Sequence, residues 1–353
     1  MRTRPMRHLK PRRAMLGISL VELMIAMVLG LMVLAALASL FANSSSARAE
    51  MERNSRQIEN GRFAVELLAD DLRMAGFYGE LDVNGATTVP GAMPDPCSTD
   101  PTVWGAAMRI AVQGYDNAAV VPTCLPSDVK AGTDVLVVRR ASTCEAGTTG
   151  CAAAVTGLPY LQVAKCSPEN ASSTTAYRLG PQGTTTFDRR IKDCAGVAGL
   201  RQYIVRIYYV STDNGATPPV AVPTLKRLDF TGSAFTVTPL VEGIEELNIE
   251  YGIDSSGDGM PDDYSADPTS FTKAGCASCV ELNNWMNVTT ARISLLARNI
   301  EPSVNYTDTK TYTLGRDAAG ADQTVTPGGA YRRHAYSGLV RLHNVAERRE
   351  VPP

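Results

Sequence analysis

ISLVELMIAMVLGLMVLAALASLFA, residues 18–42, carries a single charge in 25 positions, and that charge is Glu22. About 20 consecutive apolar residues suffice for a helix to span a bilayer, so the stretch predicts a membrane anchor. Before it lies a leader with Arg2, Arg4, Arg7, Lys10, Arg12 and Arg13 and no acid. Positive charge stays on the cytoplasmic side, which predicts a cytoplasmic 1–17 and everything after the anchor across the inner membrane. A secretory signal cleaved after Ala36-Leu37-Ala38, or a twin-arginine signal at Arg12-Arg13, is the competing reading. The length of the apolar run and Glu22 both favour an anchor. A carboxylate in hydrocarbon costs at least ~2.5–3.5 kcal/mol on insertion scales and needs a partner. Cleavage after Gly17 supplies one: a new ammonium at Ile18, four residues from Glu22.

Met51, Ile58, Val65 and Leu72 recur every seven residues, and Leu68 adds a 3/4 step, which predicts an amphipathic helix with one packing face. Phe63 and Leu67 form a second apolar pair on another side. Residues 18–75 read as one helix of roughly 87 Å at ~1.5 Å per residue, with Gly76 as its stop and Gly30 and Gly61 as points of bending.

The leader ending in Gly17, followed by Ile18-Ser19-Leu20-Val21-Glu22-Leu23-Met24-Ile25, resembles the class III signal of type IV prepilins. Ile18 stands where phenylalanine is usual. The resemblance implies that a prepilin peptidase cuts after Gly17 and methylates Ile18, and that Glu22 guides docking into a filament. Gly61–Leu81 (GRFAVELLADDLRMAGFYGEL) is similar to the PilW branch of the minor pilins. So are residues 134–140, 241–251, 291–299 and 338–344. The implied architecture is α+β and pilin-like: leader 1–17, transmembrane half-helix 18–42, amphipathic half-helix 43–76, and a periplasmic β-rich head 77–353.

The body supports that division independently. Short apolar runs at 108–112, 135–138, 203–210, 225–230, 247–251, 292–296 and 336–342 predict strands, and no regular helices separate them, so the sheet is antiparallel or mixed, with the stripe of the N-terminal helix covering one face. Cys97, Cys124, Cys144, Cys151, Cys166, Cys194, Cys276 and Cys279 all follow residue 90. An even number in one region reads as a disulfide framework from an oxidising compartment. Spacing pairs Cys144 with Cys151 and Cys276 with Cys279, and leaves the other four open. Residues 85–198, rich in Gly, Ala, Thr, Pro and Cys, read as long loops or a disulfide-held subdomain.

Asp254-Ser-Ser-Gly-Asp258-Gly259-Met260-Pro-Asp262-Asp263 follows a strand. Asp254, Ser256 and Asp258 at loop positions one, three and five, the Met260 carbonyl, Asp262 and Asp263 are candidate oxygens for a structural calcium, against the plainer reading of a solvated Asp-Gly turn. No other cofactor is expected. Without its leader the chain has 28 basic and 36 acidic residues, a balance of −8 with no basic cluster, so direct contact with nucleic acid is not expected. Phosphate-loop, zinc-protease and nucleophile-elbow motifs are absent, His334 and His343 are the only histidines after the leader, and the pairs Asp70/Asp71 and Glu245/Glu246 read as solvated faces. The expectation is a non-enzymatic minor pilin at or near a filament tip. Its implied partners are other minor pilins, the major pilin, the prepilin peptidase, the pilus assembly platform and a tip adhesin. A minor pseudopilin of type II secretion, or a soluble periplasmic binding protein or hydrolase, are the alternatives.

Overall fold

The computed structural model describes Gly17, residues 19–232 and residues 234–350. It forms two compact units, one ending at Glu52 and one beginning at Arg53. Helix α1, Leu20–Met74, runs through that boundary. In the first unit every large apolar side chain from Leu20 to Phe41 is exposed, and the helix is long and apolar enough to cross a membrane.

The second unit, the head, is antiparallel throughout. One sheet of seven strands contains β1 (Val112–Tyr115), β2 (Val135–Glu145), β3 (Pro159–Val163), β4 (Tyr177–Pro181), β5 (Leu200–Ser211), β6 (Thr224–Phe230) and β7 (Phe235–Glu242). Its centre is β5, which pairs with β2 and, over successive stretches, with β3 and β6. Next come β8 (Ile244–Ile253), β9 (Asp263–Ser265), β10 (Val288–Arg298), the hairpin β11 (Tyr312–Arg316) and β12 (Asp322–Val325), and β13 (Arg333–Arg341). The second sheet has the order β13-β10-β8-β9.

Alternation along β2 and β5 sorts side chains between two cores, because successive residues of a strand face opposite ways. Leu136, Val138, Tyr208 and Val210 join Ala64, Leu68, Ala69, Leu72 and Ala75 of α1 and the inner residues of β8 and β10. Val135, Val137, Ile207 and Tyr209 point the other way, onto Tyr115, Cys124, Leu125 and Val129. The first sheet is therefore covered on both faces, by α1 and by loops, whereas cover on one face was expected. Double cover is what makes Val135–Val138 and Ile207–Val210 continuous apolar runs.

Six of the seven expected strands form where the runs lie. The run 108–112 does not: Pro101 and the Asp100 cap start a helix, Pro101–Ala107, and the strand begins only at Val112. Residues 85–198 contain β1–β4 and three disulfides, Cys97–Cys124, Cys144–Cys151 and Cys166–Cys194. Cys276–Cys279 is the fourth, so both pairings read from short spacing form. Gly76, at φ +72°, ends the helix in the left-handed conformation that glycine adopts without a Cβ penalty.

Candidate assembly site and the acidic loop

Glu22 lies in the first turn of α1, where free backbone N–H groups and the helix dipole favour a negative charge. It is exposed, as are all its apolar neighbours. Ile18 lies outside the described residues, as does the leader up to residue 16, so the amine that would face Glu22 is not part of this geometry.

In the head the buried positions of α1 are Gln57, Gly61, Ala64, Leu68, Ala69, Asp71 and Leu72. Of the expected packing face, Leu68 and Leu72 are fully buried and Val65 packs at the edge of the core. Ile58 is 46% exposed, and Met51, in the other unit, is 64% exposed. The seven-residue repeat drifts round a helix of 3.6 residues per turn, so its first members rotate off the face that its last members bury. Phe63 is exposed and Leu67 is partly buried.

Polar anchors complete the seat. Asp71 is 5% exposed, so it is not part of a solvated pair with Asp70. One of its oxygens accepts from Arg140 Nε at 2.8 Å and Arg206 at 2.9 Å, and the other accepts from the Tyr208 hydroxyl at 2.9 Å. Burial, and after it the Asp71 charge, pushes the Tyr208 hydroxyl well above its usual pKa. Gln57 donates to the carbonyls of Ala297 and Arg332, at 2.7 and 3.0 Å, and Asn60 donates to that of Glu242. Gly61 is a contact point: a Cβ there would fall 2.2 Å from the Tyr336 ring. Glu245 and Glu246 are likewise not solvated, since Arg333 holds Glu245 together with Asp308, and Lys130 holds Glu246.

In the acidic loop the candidate oxygens are met by donors of the protein itself. Asp254 is fully buried, and its oxygens accept from the backbone of Gly257 and Gly259 and from Arg349 Nε at 2.6 Å. Burial raises its pKa, but the Arg349 bond and the two backbone donors outweigh this and hold it below the usual carboxylate range. Asp262 accepts from Ser255 and Ser256, Asp258 from the Met260 backbone, and Asp263 pairs with Lys273. Ser256 donates towards Asp254. The oxygens are thus turned to separate donors, and among the described residues no group of three or more His, Cys, Asp or Glu is arranged to hold a metal. A guanidinium from the C-terminal segment stands where the sequence suggested a cation.

Residues 207–344 match the PilW family, type IV pilus-assembly protein W. The matched part runs from within β5 to the short helix His343–Ala346 and takes in Tyr208, Glu245, the acidic loop and Arg333. No curated protein matches the chain. Among solved structures, a type IV-like pilin from Thermus thermophilus is similar over 82% of this chain and 97% of its own, with 13% identity and a TM-score of 0.34. The PilW match, in a chain whose antiparallel head follows a long apolar helix, supports a type IV pilus-related pilin with a single membrane-anchoring segment.

Sequence reading missed the buried arginines, of which Arg333 lies in the PilW-matched part. Arg333 and Arg349 gave no pattern of their own, because their partners lie far off in the chain. Arg139-Arg140 did give one: two arginines closing an apolar strand need buried acceptors. Arg139 finds them in the Ile110 carbonyl and Gln113, and Arg140 finds Asp71.

Proposed function

We propose that this chain is a minor pilin that helps to prime and assemble a type IV pilus, positioned at or near the filament tip. In this reading the leader is cytoplasmic, the head is periplasmic, cleavage follows Gly17, and Ile18 becomes the methylated N-terminus whose charge meets Glu22. The observation that carries it is the pairing of one acid, Glu22, with an apolar helix whose large side chains are exposed, ahead of a PilW-matched head. Pilus-dependent motility, adhesion or DNA uptake would be the cellular output, through contacts with the major pilin, other minor pilins and the assembly platform. The head supports a scaffold over a catalyst, because its buried carboxylates are engaged by arginine, lysine or backbone donors.

N-terminal sequencing of the mature protein tests the reading. A methylated start at Ile18 is expected, Gly17→Ala should block processing, and Glu22→Ala should leave processing intact while removing the protein from sheared pili. A mature start near Ser39 would defeat it.

A further inference from the structure

A groove of about 370 Å³ opens along α1 in the head, between Asn54, Ile58 and Arg62 on the helix, Lys310 and Tyr306 in the loop before β11, and His334 and Tyr336 on β13. Most lysines and arginines of the head are held in ion pairs, and none of the groove's lining residues is acidic. Arg62 and Lys310 are exposed and form no ion pair among the described residues. The Tyr336 hydroxyl, close enough to Arg62 to feel its charge, has no hydrogen-bond partner there. The sequence shows no basic cluster because these cations are separated by almost 250 positions and meet only through the fold.

We infer that this groove receives a carboxylate-bearing helix of a neighbouring pilus subunit. Two observations select that occupant. Ile58, 46% exposed, sets one apolar side chain beside the groove's cations, which suits an amphipathic helix laid along it. Its rings already have protein neighbours: Arg332 sits 4.5 Å over the Tyr306 ring, the His334 ring meets Tyr336 edge-on at 4.7 Å, and Tyr336 packs on Gly61. Single-stranded nucleic acid binds by stacking bases on rings along a basic groove, and each ring here already has a neighbour on one side. Acidic side chains need only the exposed cations, Arg62 and Lys310. The identity of the partner rests on the pilin reading; the chemistry of the groove does not.

Full-length protein in detergent micelles, treated with a carbodiimide that joins carboxylates to lysine amines, provides the test. With poly-L-glutamate as probe, Lys310 should be the principal cross-linked lysine, and Arg62→Glu should weaken binding at least about tenfold. Lys310→Arg should keep the binding and lose the cross-link. In piliated cells the same reagent should join Lys310 to a carboxylate on another subunit's helix. Unchanged poly-L-glutamate binding in both Arg62→Glu and Lys310→Glu would overturn the proposal, as would the absence of any subunit cross-linked through Lys310. Tighter binding of a single-stranded oligonucleotide or of anionic vesicles, lost in Lys310→Glu, would replace the occupant. A mature start near Ser39 would remove the pilus subunit and leave the groove's affinity for carboxylates standing.

Discussion

The two halves of α1 answer the same question in opposite ways. From Leu20 to Phe41 the helix carries large apolar side chains, and all are exposed. From Gln57 to Leu72 it buries glutamine, glycine, alanine and aspartate along with its two leucines. Apolar content alone would rank the first half as the better buried. What decides burial is whether a partner is encoded in the same chain. The second half meets strands that offer carbonyls, guanidinium groups and a tyrosine ring at fixed places, so small and polar residues serve it. The first half is exposed along its whole apolar length, which is the uniform apolarity that a membrane-spanning helix needs, with Glu22 as the one charged group.

The largest expected effect tests whether the second half is seated by charge as well as by packing. Asp71→Ala leaves Arg140, Arg206 and Tyr208 without their shared acceptor, and breaking a buried ion pair from one side costs roughly 3–5 kcal/mol. Asp70→Ala removes only an exposed partner of Arg73 and should cost less than about 1 kcal/mol. Denaturant melts of the two variants should therefore separate widely. Equal midpoints would mean that α1 is held by its leucines alone.

A smaller effect, with a change of sign, tests the close approach at Gly61. In an otherwise unchanged protein Gly61→Ala forces a methyl into the Tyr336 ring and should destabilise by roughly 1–3 kcal/mol, as overpacking does. When Tyr336 is already alanine the obstacle is gone, and the same substitution should stabilise by up to ~1 kcal/mol through helix propensity. A double-mutant cycle on thermal melts measures both values. Destabilisation in both backgrounds would restore the reading of Gly61 as a bend.

These two positions also show where sequence reading reached and where it stopped. The membrane segment, the helix that follows it, the sites of most strands and the two short-range disulfides were legible because each depends on neighbours within a few turns or one strand. Asp71 was misread, and the close contacts of Gly61 and of the acidic loop were not foreseen, for one shared reason. Their partners, Arg206, Tyr336 and Arg349, lie 95 to 275 residues away, and composition near each site is the same whether a partner exists or not. An aspartate beside another aspartate looks solvated, a glycine in a helix looks like a hinge, and a string of Asp and Ser looks like a cation loop. At Glu22 the sequence gives an expectation only: an ionised carboxylate in hydrocarbon is costly, and the amine expected to meet it belongs to Ile18, outside the described residues.

The smallest expected effect carries the comparison back to the exposed residues. Met51, in the first unit, and Phe63, in the second, are 64% and 55% exposed, so neither contributes to the head's core. Met51→Ala and Phe63→Ala should each shift the head's melting by no more than about 0.5 kcal/mol, the usual range for surface substitutions. If the uncovered apolar residues of α1 wait for another subunit, the same variants should still lower the amount of protein recovered in sheared pili. A loss of stability would show that these side chains have cover within the chain. Unchanged stability with unchanged incorporation would confine the intersubunit contact to the segment before Ala42, and would leave the seven-residue repeat that begins at Met51 without a role outside the head.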